Sequence, residues 1–176
     1  MKYATIKDSD IANGLGVRVS LFVSGCTHHC KGCFNEVAWD FNYGNEFTSQ
    51  VEDQILKLLE PSYIKGLSLL GGEPFELSNQ EGLINFLRRV KKKFPNKNIW
   101  AYTGYTLEKD LLVPSRARGE YTDEMLSYID VLVDGEFVLD LKDIALKFRG
   151  SSNQRIIDLK KTLETKSICL IEELMK

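Results

Sequence analysis

Three of the four cysteines are crowded into one short stretch of the chain. Cys26, Cys30 and Cys33 fall within a span of eight residues, whereas Cys169 stands alone in a distant apolar stretch. Thiolates are soft ligands, and cysteines clustered in this way are typical of metal or redox chemistry rather than of a disulfide framework. We therefore interpret the first three as metal ligands and Cys169 as a small apolar side chain of the interior.

Two kinds of metal site are compatible with these three cysteines. One is zinc, bound by the thiolates and by His28 or His29, although structural zinc sites usually take ligands from two separate segments. The other is an iron–sulfur cluster. Clusters normally bind four cysteines, so three would leave one iron open to a substrate or cofactor. The spacing favours the cluster and leaves zinc as the alternative.

Further residues of chemical interest stand at the ends of short apolar stretches. These stretches are rich in β-branched and large apolar residues and are predicted to be strands. Four such strands are predicted, each before distinctive residues: 17–23 before Cys26, 67–70 before Gly71, Gly72 and Glu73, 99–102 before Thr103, and 131–133 before Asp134. Because the carboxyl ends of parallel strands meet at one edge of a sheet, we expect these residues to converge.

The intervening segments predict the helices that connect these strands. Helices are expected at residues 47–59, 78–94, 106–111 and 122–129. Apolar residues recur at helical spacing in the first two, and capping-box patterns beginning at Ser49 and Ser78 predict where they start. A further strand is expected at residues 4–6, whereas residues 156–176 fit helix, strand or both. The alternation predicts an α/β fold with a parallel sheet, either open or curved into part of a barrel.

Length and composition restrict the classes of protein. The chain has 176 residues, enough for one domain, whereas a complete (β/α)₈ barrel takes roughly 250. A net charge of −2 provides no field to hold nucleic acid or an anionic membrane. No apolar run approaches the ~20 residues of a membrane helix, and the first ten residues lack a signal-peptide pattern. We therefore expect a cytoplasmic protein that binds neither nucleic acid nor membrane.

The cysteine spacing and the glycine motif together resemble the radical S-adenosylmethionine enzymes. Cys26-x₃-Cys30-x₂-Cys33 is similar to the cluster-binding motif of that superfamily, and residues 71–74 are similar to its Gly-Gly-Glu motif. Most members carry an aromatic residue before the third cysteine, whereas this chain has Gly32 there. Activating proteins of anaerobic ribonucleoside-triphosphate reductases also have glycine there. Other segments resemble those proteins as well, namely residues 13–16, 24–26, 30–35, 102–105, 133–137 and 149–154, with Trp39.

The resemblance implies a role for each motif. Cys26, Cys30 and Cys33 would hold a [4Fe–4S] cluster, and S-adenosylmethionine would bind the fourth iron through its amino and carboxylate groups. The resemblance implies that the adenine contacts Gly32, Cys33 and Phe34 and that the methionine contacts Gly71, Gly72 and Glu73. It also implies that Thr103 and Asp134 contact S-adenosylmethionine or a bound cation. The implied fold is an incomplete parallel βα barrel in one domain, residues 1–176, whose tail at 159–176 the resemblance does not cover.

The implied reaction is the activation of a protein substrate. The cluster would cleave S-adenosylmethionine reductively, and the resulting 5′-deoxyadenosyl radical would produce a glycyl radical on the anaerobic reductase. A flavodoxin or ferredoxin would supply the electron, and a homodimer is left open. Since the chain is too short to close a barrel, one side of the site would stay exposed, which favours a macromolecular substrate.

Three alternatives stay open at this point. They are an activase of another glycyl-radical enzyme of the pyruvate formate-lyase type, a small radical S-adenosylmethionine enzyme acting on a small molecule, and a non-catalytic zinc-binding module. Gly32 and residues 149–154 argue against the first. Arg149 and the small polar residues after it suit an anion, but the sequence does not say whether they serve the cofactor, the partner or the local fold.

Overall fold

The predicted strands and helices are present in the computed structural model, which describes residues 1–176. The strands are β1 (Lys2–Asp10), β2 (Val17–Val23), β3 (Asn45–Glu46), β4 (Ile64–Gly71), β5 (Asn98–Tyr102), β6 (Val131–Asp134) and β7 (Arg155–Asp158). The α-helices are α1 (Ser49–Leu58), α2 (Leu77–Lys93), α3 (Thr122–Tyr128) and α4 (Leu159–Thr165). The helix expected at residues 106–111 is a π-helical turn, and 3₁₀ turns cover Glu36–Trp39, Leu139–Leu141 and Glu172–Leu174. None of the helices has both the length and the apolar composition needed to span a bilayer.

The sheet has a parallel centre and antiparallel edges. Its strand order is β3-β1-β2-β4-β5-β6-β7. The central strands β2, β4, β5 and β6 run parallel, whereas β1, β3 and β7 pair antiparallel with their neighbours. The predicted parallel α/β sheet is therefore confirmed for the four central strands. The antiparallel edges were not predicted, although the six residues between β1 and β2 are too few for the crossover that parallel pairing needs.

Both faces of the central strands are buried, but the two faces differ in character. In β2, Val19, Leu21 and Val23 point into the main apolar core, which the helices cover. Arg18 and Ser20 alternate onto the opposite face, where they are buried too. A smaller apolar group packs on that second face: Trp100, Val133, Ile156 and Leu174. The second face is thus the one that carries buried polar side chains.

The two long helices begin earlier than their capping boxes predict. Thr48 rather than Ser49 caps α1, and its hydroxyl accepts a 3.3 Å hydrogen bond from a first-turn amide. No side chain caps α2, so the cap predicted at Ser78 is wrong. Glu76 precedes α2, but its carboxylate accepts hydrogen bonds from the N–H and hydroxyl of Thr27, at 3.0 and 2.6 Å. A tertiary contact with the cysteine segment has therefore taken the place of a local cap.

Residues 166–176 return to the sheet after α4. The Asp158 N–H donates to the Cys169 carbonyl (2.8 Å), and the Ile171 N–H donates to the Ile156 carbonyl (2.9 Å). This pairing covers the free edge of β7, and Leu174 packs in the smaller apolar group. The prediction that Cys169 is fully interior is wrong, since its side chain is half-buried at this edge.

Candidate active site

A cavity of about 350 Å³ opens at the carboxyl ends of the four parallel strands. Pockets for small molecules typically measure roughly 300–1,000 Å³. Its wall includes most of the residues that the sequence places at the site: Cys26, Cys30, Cys33, Phe34, Gly71, Gly72, Glu73 and Thr103. Gly32 and Asp134 do not line it, although their neighbours Cys33, Val133 and Gly135 do. The predicted convergence of the four strand ends is therefore present.

The cysteine loop, residues 24–35, has no regular secondary structure. Cys26 is buried, whereas Cys30 and Cys33 are half-buried. One backbone hydrogen bond lies within the loop, from the Cys33 N–H to the Cys30 carbonyl (3.1 Å). Burial raises the pKa of Cys26 to about 12 and also raises the pKa of Cys30. Both thiols are therefore protonated in the metal-free protein at neutral pH, and metal binding must release their protons.

Glu73 joins the cysteine loop to the ends of β4 and β5. Its buried carboxylate accepts hydrogen bonds from the Phe75 N–H (2.9 Å), the Thr103 hydroxyl (2.8 Å) and the Gly104 N–H (2.7 Å). The fourth partner is His28, whose Nε2 lies 2.8 Å away. An ionised carboxylate offers about four lone-pair sites, so all of them are used. A ligand amino group would have to displace one of these partners to reach Glu73.

His28 lies between two carboxylates. Its Nε2 faces Glu73 at 2.8 Å and its Nδ1 faces Glu136 at 3.0 Å, with only 4% of the side chain exposed. Burial lowers the pKa of His28, but the hydrogen bonds with the two carboxylates outweigh it and the net shift is upward. The ring also packs edge-on against Tyr105. With both nitrogens engaged, His28 modifies the surroundings of the cysteines rather than offering a metal ligand.

Glycine is required at two turns of the site. A Cβ on Gly72 would lie 2.6 Å from the carbonyl oxygen of Gly25 and 2.9 Å from that of Ala38. Gly32 has a φ of +78°, and a Cβ there would lie 2.8 Å from a methyl group of Leu139. Glycine is therefore required at position 32, before the third cysteine, because the backbone there is left-handed and the Leu139 side chain leaves no space for a Cβ.

Asp134 is engaged in an ion pair beside the cavity. Its buried carboxylate accepts hydrogen bonds from Arg155 at 2.6 and 2.9 Å and from the Leu107 N–H at 2.9 Å. Arg155 in turn donates to Glu108 at 2.9 and 3.0 Å. A direct contact between Asp134 and a ligand stays a prediction, and this geometry does not favour it. The observed contacts fix the end of β6, where Gly135 lines the cavity.

Two residues of the cavity wall are not among those that the sequence assigns to the cofactors. The Tyr102 hydroxyl and the Arg149 Nε are buried, and neither has a hydrogen-bond partner. Strand alternation could have placed Tyr102, since it lies two residues after Trp100 and so on the same face of β5. No local pattern directs Arg149 to the cavity. Glu136 was also missed, because its contact with His28 joins residues 108 positions apart.

Comparison with known proteins identifies the family. Residues 12–157 match the family model described as a 4Fe-4S single cluster domain. The chain is 46% identical over 158 residues to the anaerobic ribonucleoside-triphosphate reductase-activating protein of Haemophilus influenzae, a match covering 89% of this chain and 97% of that protein. The chain belongs to this family of activating proteins. The relatives of the same name from Escherichia coli K12 and Enterobacteria phage T4 are 43% and 41% identical, and the matches cover 91% and 89% of this chain and 100% and 93% of those proteins.

The donor set of this activating-family member fits a [4Fe–4S] cluster. Cys26, Cys30 and Cys33 line one cavity, and the Asn35 N–H donates to the Cys33 sulfur at 3.4 Å, a contact of the kind that tunes such clusters. The ligands of a cluster bind different irons, so they lie farther apart than the ligands of one ion. No group of three Cys, His, Asp or Glu side chains is close enough together to hold a single metal ion.

Proposed function

We propose that this protein activates the anaerobic ribonucleoside-triphosphate reductase by generating a glycyl radical on it. The observation that carries the proposal is the single cavity shared by Cys26, Cys30, Cys33, Gly71 and Gly72 in a chain of the activating family. Relatives named for the activation of that reductase match about nine tenths of the chain. The protein is accordingly an activating enzyme of the radical S-adenosylmethionine type.

The cysteines and glycines bind and orient the cofactors in this proposal. Cys26, Cys30 and Cys33 hold a [4Fe–4S] cluster and leave one iron for the amino and carboxylate groups of S-adenosylmethionine. When bound, the cluster would supply one electron to the sulfonium of S-adenosylmethionine, and breaking of the C–S bond would give methionine and a 5′-deoxyadenosyl radical. That radical would take a hydrogen atom from a glycine Cα of the reductase. Gly71 and Gly72 present backbone without a Cβ, so that the methionine moiety can approach closely.

The remaining predicted residues shape the rest of the site. Cys33 and Phe34 line the cavity, and the Phe34 ring is 87% exposed, so it is free to cover the adenine at the mouth. Gly32 provides the turn that places both. Thr103 and Glu73 bind each other and hold the wall of the methionine side. Asp134 acts indirectly, by fixing the end of β6.

We further propose that residues 1–176 form one radical S-adenosylmethionine domain, an incomplete parallel βα barrel. Four parallel strands with their carboxyl ends at the cavity support this fold, and the chain is shorter than the roughly 250 residues of a closed barrel. The open side suits a large partner that presents a backbone glycine. A flavodoxin or ferredoxin is the proposed electron donor, in a reducing cytoplasm that keeps cysteines free. The tail, residues 159–176, covers the edge of β7.

Anaerobic reconstitution tests the proposal directly. Purified protein supplied with iron and sulfide should bind about four irons per chain and, with S-adenosylmethionine and a reductant, should release 5′-deoxyadenosine. Addition of the anaerobic reductase should produce a glycyl-radical doublet in electron paramagnetic resonance, which Cys30→Ala should abolish. Colourless protein with one zinc would overturn the proposal. Release of 5′-deoxyadenosine with no doublet on any reductase would favour a small-molecule substrate, and a doublet on a pyruvate formate-lyase would favour that activase class.

A further inference from the structure

The Arg149 guanidinium forms no ion pair within the chain. Its terminal nitrogens donate to three backbone carbonyls, those of Gln154 (3.0 Å), Ser152 (3.4 Å) and Met175 (3.3 Å). Its Nε is buried without a partner, and the residue lines the cavity. A half-buried guanidinium in this situation is a site for an anion.

Tyr102 contributes a second unused donor to the same cavity. Its hydroxyl is buried and lacks any hydrogen-bond partner. Burial raises the pKa of the phenol, so the group keeps its proton and can donate. Tyr102 lies at the end of β5, whereas Arg149 lies in the loop before β7, and yet both line the cavity. They are the only cavity-lining residues with a buried side-chain nitrogen or oxygen left unpartnered.

Arg18 shows that the fold can satisfy a buried arginine when the role is structural. Its Nε donates to the Ser68 hydroxyl at 2.8 Å, and its terminal nitrogens donate to the carbonyls of Leu15 and Leu67 at 3.0 Å. No nitrogen of Arg18 is left without a partner. The unpartnered Nε of Arg149 is therefore not a general feature of buried arginines in this chain. It distinguishes the arginine that faces the cavity.

We infer that Arg149 and Tyr102 bind the carboxylate of S-adenosylmethionine. This assignment rests on the proposed function, which makes S-adenosylmethionine the ligand of the cavity. The carboxylate is the only anionic group of that ligand, and Arg149 lacks a counter-charge. A carboxylate has two oxygens, so iron coordination through one leaves the other for charge-assisted hydrogen bonds from the protein. The two residues therefore position the cofactor and distinguish it from carboxylate-free analogues.

Tyr102→Phe is the cleanest test, because the hydroxyl makes no hydrogen bond within the protein. Cluster-loaded protein is titrated anaerobically with S-adenosylmethionine and, separately, with decarboxylated S-adenosylmethionine. We expect Tyr102→Phe to weaken binding of the first ligand about three- to tenfold, and Arg149→Gln about ten- to a hundredfold. Binding of the decarboxylated ligand should change less than about twofold in both variants. Tyr121→Phe, which lies outside the cavity wall, is the matched control and should bind both ligands as the wild type does.

The outcomes separate this assignment from the proposed function. The unfolding midpoint of ligand-free Tyr102→Phe should equal that of the wild type, which shows that a loss of affinity is not a loss of fold. Equal weakening of both ligands, or no weakening of either, would overturn the assignment even if glycyl-radical yield fell. Wild-type protein that binds no S-adenosylmethionine at all would overturn the proposed function and this assignment with it.

Discussion

The two halves of the candidate site are held together in opposite ways. The strand-end rim, residues 71–73, 103–104 and 134–135, is fixed by short backbone bonds such as that from the Gly72 N–H to the Val23 carbonyl (2.8 Å). Its carboxylates, Glu73 and Asp134, are 1% exposed and fully hydrogen-bonded. The cysteine loop has a single internal backbone bond and carries the 87% exposed Phe34.

This difference indicates that the protein alone organises the rim, whereas metal binding completes the order of the loop. The rim is organised before any ligand binds, because its bonds belong to the sheet and to buried side chains. The loop is attached to the rim through His28 at Glu73 and through the carbonyl of Gly25, and Thr27 joins it to Glu76 just before α2. Metal binding would provide the remaining order in the loop, as in other sites whose ligands are poorly fixed without metal. Loop variants should therefore lose the cluster and keep the fold, whereas rim variants should lose stability.

The largest effect is expected for Cys30→Ala in the loop. Loss of one of three ligands should lower cluster content and 5′-deoxyadenosine formation by more than about 100-fold, since substitutions in the outer shell alone cost 10–100-fold. The unfolding free energy of the metal-free variant should stay within about 0.5 kcal/mol of the wild type. Iron analysis, product assay and urea unfolding measure the three quantities.

Cys169→Ala provides the matched control for that experiment. It removes a thiol of the same kind at the edge of β7, where its sulfur lies 3.2 Å from the Ser167 carbonyl, outside the cavity. Iron content and activity should equal those of the wild type. If Cys30→Ala unfolded the metal-free protein, the comparison between loop and rim would fail.

Gly72→Ala should destabilise the rim. The added Cβ would lie 2.6 Å from the Gly25 carbonyl oxygen and 2.9 Å from that of Ala38, and neither backbone can move without disturbing the rim. Overpacking of this kind destabilises by about 1–3 kcal/mol, which denaturant unfolding of the metal-free protein can detect. Gly119→Ala is the control, since its Cβ would meet only the end of the flexible Leu77 side chain. Equal stability of the two variants would contradict a rigid rim.

The sequence predicted which residues form the rim, but it did not predict the hydrogen bonds among them. Apolar strands followed by glycines are local patterns, so the ends of β2, β4, β5 and β6 could be placed in advance. Parallel pairing then brought Cys26, Gly72 and Thr103 to one cavity. The Glu73 network could not be predicted, because His28 and Thr103 are 45 and 30 positions away from Glu73. Contacts of that kind leave no periodicity in the chain.

The helix starts and the two unpartnered donors, Tyr102 and Arg149, also depend on contacts between residues that are distant in sequence. Capping boxes at Ser49 and Ser78 are local signals, yet α2 begins without a side-chain cap because the Glu76 carboxylate binds Thr27. The segment around Arg149 was recognised as suited to an anion, but only the fold shows that this arginine lacks a counter-charge. Composition can indicate the kind of ligand, whereas unsatisfied donors become visible only in three dimensions.

Thr103→Val should lower the stability of the rim moderately, and it tests whether the hydrogen bonds of Glu73 hold the rim together. The substitution keeps the shape of the side chain but removes the hydroxyl that donates to Glu73 (2.8 Å) and accepts from the Tyr105 N–H (3.0 Å). Without the hydroxyl, the buried Tyr105 N–H loses its partner and Glu73 loses one of its four, which should lower the unfolding free energy by about 1–3 kcal/mol. Thr103→Ser keeps the hydroxyl and should recover most of that loss. Unchanged stability of Thr103→Val would contradict this role of the hydroxyl in the Glu73 network.

The smallest effect is expected at the ion pair that supports the β6 end of the rim. Hydrogen bonds from Arg155 lower the pKa of Glu108 below its usual 4.5, despite an opposing contribution from burial. A lowered pKa contributes stability above 4.5 that is lost as the pH falls through the folded-state pKa. Glu108→Gln should therefore be less stable than the wild type by up to about 1 kcal/mol at neutral pH, and the difference should vanish in acid. A difference that is constant over the titration would show that Glu108 acts through packing, and the rim would then owe its rigidity at β6 to Asp134 and Arg155 alone.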